Sequence, residues 1–146
     1  MASTTMTRAE REEFLSGVHI AVLAVAGVDG AAPIQTPVWY AYEPGGSIRL
    51  STSSTAQKAH QMRKLGRASI CVQREASPYA YVVIEGPVTI SKPDFETDIR
   101  AIAVRYLGEK GAAAYLGQTN EANETSILVT LTPEKWHTVD YSKAYR

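Results

Sequence analysis

The residues best suited to chemistry in this sequence are cations set beside hydroxyls. From Pro44 to Arg74 there is no Asp or Glu, yet Arg49, Lys58, Arg63, Lys64, Arg67 and Arg74 all fall there, with His60 among them. The whole protein is neutral, with 15 Lys and Arg against 15 Asp and Glu, so the excess is local. At its centre Leu50-Ser51-Thr52-Ser53-Ser54-Thr55-Ala56-Gln57-Lys58 leads from an extended segment, through a hydroxyl-rich turn, into a helix. That arrangement suits an anion. A helix N-terminus presents unpaired amides and the positive end of the dipole. Ser51, Thr52 or Ser53 can donate hydrogen bonds, and Lys58 in the first turn can reach a phosphate as a point charge. A lysine there opposes the helix dipole unless an anion is bound. The same cations also fit the solvated face of a surface helix, and the pattern leaves both readings open.

Other chemistries find less support. Cys71 lies in the apolar run Ile70-Cys71-Val72 and reads as structural. Ser51, Ser53 and Ser54 have no nucleophile-elbow context. Gly45-Gly46 is a hairpin turn and not a dinucleotide fingerprint. His19, His60 and His137 lack ligand-like spacing, so no metal site is expected. Trp39 and Trp136 read as core or interface aromatics, with Trp39 also able to flank a ring-shaped ligand. Tyr40, Tyr42, Tyr79 and Tyr81 could each supply a hydroxyl, and nothing selects one.

The elements that must position these residues follow from periodicity. Thr7-Arg8-Ala9-Glu10 is a capping box, predicting a helix over Arg8–Ser16. His19–Val25 reads as a buried strand. After the Asp29-Gly30 turn, Ile34, Thr36, Val38, Tyr40 and Tyr42 alternate with Gln35, Pro37, Trp39 and Ala41. Pro44-Gly45-Gly46 closes a hairpin into a strand over Ser47–Thr52, with Ile48 and Leu50 inward. Ser53-Ser54-Thr55 offers caps for a helix over Ala56–Leu65, with Ala59, Met62 and Leu65 on its inner face. Gly66 ends that helix, and Ala68, Ile70 and Val72 mark the next strand. Tyr79–Ile90 is a long strand, with Gly86-Pro87 suggesting a bend or bulge. Ser91-Lys92-Pro93-Asp94 starts a helix whose stripe is Phe95, Ile99, Ile102 and Tyr106, stopping at Gly108. A helical piece at Ala112–Leu116, a polar loop at Gln118–Thr125, a strand at Ile127–Leu131 and an extension at Trp136–Val139 complete the chain. About six antiparallel strands with flanking helices make a mainly β (α+β) fold; pattern alone does not choose between barrel and sandwich.

The 146 residues read as a single domain, 1–146, long enough to bury roughly 70% of the unfolded surface. Net neutrality gives no sign of nucleic acid or an anionic membrane surface. There is one cysteine and no basic region ahead of the short apolar stretch Ile20–Ala26. The expectation is a cytoplasmic protein.

The order of motifs resembles the pyridoxamine 5′-phosphate oxidase-like flavin and deazaflavin oxidoreductases, across nearly the whole chain. Leu50-Ser51-Thr52, Gln57-Lys58, Arg67-Ala68-Ser69-Ile70-Cys71-Val72 and Val83-Ile84-Glu85-Gly86 sit where that family has recurring patterns. Thr36-Pro37-Val38-Trp39-Tyr40 and Thr132-Pro133-Glu134-Lys135-Trp136 resemble actinobacterial members assigned to the deazaflavin coenzyme F420.

The resemblance implies a split β-barrel homodimer with cofactor sites at the dimer interface. Thr52 and Lys58 match phosphate-contacting positions, with Ser51, Ser53 and Gln57 beside them. Thr36, Pro37, Val38 and Trp39 match the strand whose backbone lies along the cofactor ring, and Tyr81 or Val82 comes from the strand lining the interface. Flavin mononucleotide (FMN) enzymes usually carry Arg where this chain has Gln57, which removes a bidentate donor suited to a dianionic phosphate. F420 has a singly charged phosphodiester and an acidic tail, and the departure favours it. The implied function is an F420-dependent oxidoreductase passing a hydride to a small organic acceptor, with no catalytic side chain identified. The alternatives are an FMN-dependent enzyme of the same fold and a non-catalytic cofactor carrier. The C-terminal Val139–Arg146 lacks the family's basic substrate-binding pattern, so synthesis of pyridoxal phosphate is not expected.

Overall fold

A computed structural model describes residues 3–118 and 125–145. Helix α1 (Arg8–Ser16) opens on the expected capping box: Thr7 Oγ1 accepts from Glu10 N, and Glu10 accepts from Thr7 N. Strands β1 (Ala21–Val25), β2 (Ile34–Val38), β3 (Ala41–Tyr42) and β4 (Ile48–Ser53) follow, then α2 (Gln57–Leu65), β5 (Arg67–Arg74) and β6 (Ala80–Ser91). A π-helical turn (Phe95–Arg100) leads into α3 (Ala101–Gln118), and β7 (Ser126–Leu131) and β8 (Lys135–Asp140) close the sheet. The order is β2-β1-β5-β6-β7-β4-β3, with β8 also on β6, and every pairing is antiparallel.

Among the described residues the sheet has eight strands, close to the six or so expected, two of them short or terminal. The alternating run Ile34–Tyr42 divides at Trp39-Tyr40, so that β2 pairs with β1 and β3 with β4. The alternation survives the division, and Tyr40 and Tyr42 are both buried. The C-terminal extension is a full strand against β6.

Strand β6 joins the two halves of the sheet. Residues 80–85 pair with β8 and residues 88–91 with β7, while β5 holds the other edge over 80–87. The exchange occurs at the expected bend. A Cβ on Gly86 would lie 1.9 Å from the Thr132 carbonyl oxygen, so glycine lets the β7–β8 connection cross there. Thr132 N donates to Pro87 O and Glu134 N to Glu85 O, both at 3.0 Å, fixing the crossing.

The core forms chiefly from alternate residues of β1, β4, β5, β6 and β7, among them Leu23, Ile48, Leu50, Ile70, Val72, Val82, Ile84, Val129 and Leu131. Tyr40 is completely buried and donates from Oη to Leu15 O at 2.7 Å; burial pushes its phenol well above the usual range.

Some helical expectations change. Leu65, in the last turn of α2 before the chain reverses at Gly66, is 44% exposed; Gln61 is buried instead, donating to Ala26 O. No side chain caps α2: its N-cap is Ala56, and Ser53 binds Thr55. Strand β6 runs through Ser91, and Asp94 caps the next helix through Thr97 N. In the π turn, Ile99 N reaches back five residues to Asp94 O. This wide register turns Phe95 outward and Asp98 inward, while Ile102 stays buried. At Gly108, φ 76 breaks α3, which then resumes through the expected Ala112–Leu116 piece. The start of the first strand moves from His19 to Ala21, leaving Val18 and Ile20 exposed. The expected loop at Gln118–Thr125 falls largely on 119–124, outside the described residues.

Candidate functional site

A cavity of about 460 Å³ opens between the ends of β2 and β4, the N-terminus of α2 and the helical arm that follows β6. Its two ends differ in chemistry.

The polar end is built by β4 and α2. Ser51, Thr52, Ser53 and Lys58 line it, with Thr125 and Ser126 from the facing strand entry. Register explains the grouping: Ser53 lies opposite Ser126, and Ser54 N donates to Thr125 O at 2.8 Å. Because no side chain caps α2, its first amides are left for solvent or a ligand. Lys58 is half-buried, and desolvation lowers the pKa of its ammonium. Among the described residues no carboxylate lies within 4.0 Å of it.

The other cations of the Pro44–Arg74 segment are placed differently. Arg49 Nη1 donates to Asp98 Oδ1 at 2.9 Å. Arg67 meets Glu134 and Glu85; Arg74 meets Pro78 O and Asp140; Arg63 donates to Ser54 O. Lys64 and His60 face solvent. Among the described residues the cavity wall therefore holds one cation without a carboxylate partner, Lys58, and one carboxylate, Asp98, already neutralised by Arg49 and accepting from Asp94 N.

The apolar end is built by β2 and the helical arm. Pro37, Val38 and Trp39 form one wall; Ile99, Ile102, Ala103 and Tyr115 face them, with Ile20 at the edge. Trp39 stacks on Tyr106 with centroids 5.1 Å apart and planes 9° apart, and meets Tyr115 at 5.3 Å. Tyr106 holds this arrangement from behind: its Oη donates to His19 O at 2.6 Å and accepts from Tyr40 N at 3.1 Å.

Of the sequence-derived site residues, Pro37, Val38, Trp39, Ser51, Thr52, Ser53 and Lys58 come together here. Thr36, Gln57 and Tyr81 do not line the cavity. Thr36 pairs with Leu23 within the sheet, Gln57 is exposed, and Tyr81 stands on the outer sheet face with its Oη 3.3 Å from His137 Nε2. Sequence reasoning missed Asp98, Tyr106 and Tyr115. A π turn leaves no periodic signature, so Asp98 reads as a solvent-facing helix residue until the arm is docked. Cys71 is half-buried, and burial raises its thiol pKa, as expected of a structural cysteine. Among the described residues no group of three or more His, Cys, Asp and Glu could hold a metal, and no helix is long and apolar enough to cross a membrane.

A cofactor with a phosphate at one end and a flat ring at the other fits this division: hydroxyls, free amides and Lys58 on one side, Trp39, Pro37 and Val38 on the other.

The fold recurs in solved structures. A conserved hypothetical protein of Mycobacterium tuberculosis superimposes with TM-score 0.79 at 24% identity, covering 100% of this chain and 92% of that one. An F420 reductase gives TM-score 0.62 at 18% identity, over 86% of this chain and 94% of that one. An FAD- and haem-binding protein of Mycobacterium smegmatis gives 0.64 at 16%, over 93% and 72%. Among curated proteins none matches. The sequence itself matches the pyridoxamine 5′-phosphate oxidase family over residues 7–140, spanning every strand of the sheet, and the chain belongs to that family of split β-barrels.

Proposed function

We propose that this single-domain chain is an F420-dependent oxidoreductase acting on a small organic acceptor. The observation that carries the reading is the charge inventory of the cavity's described residues: one lysine without a carboxylate partner among hydroxyls, beside an aromatic-walled apolar chamber. One cation and several hydroxyls suit a phosphodiester, which bears a single charge, better than a dianionic phosphate monoester. Gln57, exposed at the helix start, adds no charge.

Lys58, Ser51 and Thr52 hold the phosphate. Pro37, Val38 and Trp39 border the ring, and the helical arm keeps water from it. The bound deazaflavin supplies the hydride chemistry, and the protein supplies position and exclusion of solvent. The one cysteine, Cys71, suits a reducing compartment, and the proposal places the enzyme in the cytoplasm.

The functional unit is a homodimer in this reading. Val22, Cys71, Val83 and His137 form one register row across β1, β5, β6 and β8 on the outer sheet face, with Tyr81 beside them. A second copy would cover this row and bring Tyr81 toward the neighbouring cavity. Sedimentation at micromolar concentration should give a dimer, and a monomer would refute this part.

Fluorescence titration of the purified protein with F420 and, separately, with FMN tests the main reading. Micromolar or tighter binding of F420 with weaker FMN binding is expected. Preference for FMN moves the chemistry to the flavin. Tight F420 binding without turnover over a broad acceptor panel would make the protein a carrier.

A further inference from the structure

We infer that a second groove, between α1, the β3–β4 hairpin and the start of β8, is a binding site for a small carboxylate. It encloses about 280 Å³ and is separate from the cavity above. The Thr132–Trp136 segment, conspicuous in the sequence, is part of this groove: Thr132, Pro133 and Trp136 line it, and none of them lines the larger cavity.

Its central feature is Arg11. The guanidinium lies over the Trp136 ring, 4.0 Å from the centroid. Its Nε is closed off from solvent and has no acceptor. Among the described residues no carboxylate lies within 4.0 Å of it. A half-buried guanidinium normally finds an anion or a carbonyl, because removing its charge from water is costly. Among the described residues the indole face is what compensates it. Stacking occupies the flat side of the guanidinium, and with Nε sealed it leaves the two Nη groups to donate to a planar, two-oxygen partner.

The rest of the groove agrees. Ser47 and Thr132 supply hydroxyls with no protein partner among the described residues, and Gly45 and Gly46 bring bare backbone to the hairpin side between Tyr42 and Ser47. Arg8 is tied to Glu12 at 3.0 Å. Two arginines against one glutamate leave one positive charge in the lining, which a carboxylate balances. A dianionic phosphate would exceed it. The volume sits just below the common range of small-molecule sites, roughly 300 Å³ and above, so the ligand has few carbon atoms.

The test is NMR of the ¹⁵N-labelled full chain, following the Arg11 Nε–Hε signal, which the sealed environment protects from exchange. Sodium acetate and sodium benzoate are titrated against sodium chloride at equal ionic strength, with inorganic phosphate as a further arm. The expected result is a saturable shift with a carboxylate at about 10 mM or below and none with chloride. Arg11→Gln should abolish it. Arg11→Lys, which keeps the charge and loses the fork, should weaken it by about tenfold. Glu12→Gln, which raises the lining's net charge, should strengthen it severalfold; the last two variants carry the test if Arg11→Gln fails to fold. Absence of a saturable shift, an equal response to chloride, or tighter binding of phosphate than of either carboxylate would overturn the assignment.

Discussion

Replacing Lys58 by Ala removes the one cation in the cavity lining that has no carboxylate partner among the described residues, and its effect can be worked from the structure. In the free protein the ammonium is half-buried with no carboxylate beside it among the described residues, and desolvation lowers its pKa. A phosphate reverses that balance by giving the charge a partner. A charge-assisted hydrogen bond contributes about 1.5–3 kcal/mol, so Lys58→Ala should weaken F420 binding by about 10- to 150-fold. The sign of the pH effect follows. The free protein loses the Lys58 proton at a lower pH than the complex does, so binding takes up protons between the two values. Affinity of the wild type should fall as pH rises through the lowered pKa, while the Ala variant lacks that step. Removing an uncompensated charge should also leave thermal stability equal or slightly higher, which separates loss of binding from loss of fold. The assay is cofactor fluorescence titration over alkaline pH, with parallel melting curves. An unchanged dissociation constant, or an unaltered pH profile in the variant, would refute the placement of Lys58 at the phosphate.

Other perturbations test the scaffold around the site. Gly86→Ala would drive a methyl group onto the Thr132 carbonyl at the β6 crossing, so β6 and the β7–β8 connection must part; a loss of several kcal/mol or failure to fold is expected in denaturant melts, and wild-type stability would contradict the crossing. Tyr106→Phe leaves Tyr40 N without its acceptor, at about 1–3 kcal/mol in chemical denaturation, and should loosen Trp39 enough to lower ring-dependent cofactor affinity. The Lys143 ammonium and the Thr7 amide hold the Glu10 carboxyl at a pKa of about 2, against an ordinary 4.5. Stability from this contact is therefore present above pH 4.5 and lost as pH falls toward 2; Lys143→Met should return the Glu10 titration, read by carboxyl NMR, toward its ordinary value.

Much of the sheet was legible because antiparallel strands with one buried face announce themselves by alternation. Ile48 and Leu50, and Ala68 to Val72, lie as the pattern implies, and Gly86-Pro87 marks the point where β6 exchanges β8 for β7. The hydroxyl turn and Lys58 were legible for another reason: a lysine against a helix dipole is a local conflict, and local conflicts mark ligands or function. What periodicity could not supply was the arm after β6. Its π turn changes the residue count per turn for six residues only, so Phe95 and Asp98 exchange inner and outer positions. Ser53 and Thr55 also look like caps for α2, yet they bind each other, and the helix starts uncapped. Which of two local partners a hydroxyl takes depends on where β7 presents Thr125 and Ser126, a contact between segments far apart in sequence.

The fate of the cations bears most directly on function. A run from Pro44 to Arg74 rich in Lys and Arg and free of acids would, on a helix or strand face, be a basic patch able to hold a polyanion. In the folded chain the run is dismantled by residues outside it. Asp98 arrives on the π turn to take Arg49, Glu134 and Glu85 take Arg67, and Asp140 takes Arg74. Long-range pairing thus converts a stretch of positive charge into a cavity lined, among the described residues, by a single cation without a carboxylate partner. The hydroxyls do not share that fate, since Ser51, Thr52 and Ser53 all reach the cavity. A site with many neutral donors and one cation binds through hydrogen-bond geometry more than through net charge. Its affinity for a phosphodiester should therefore depend weakly on salt, about one counterion's worth. A steep salt dependence would mean that Arg49 leaves Asp98 on binding, and the charge argument for a singly charged phosphate would fall with it.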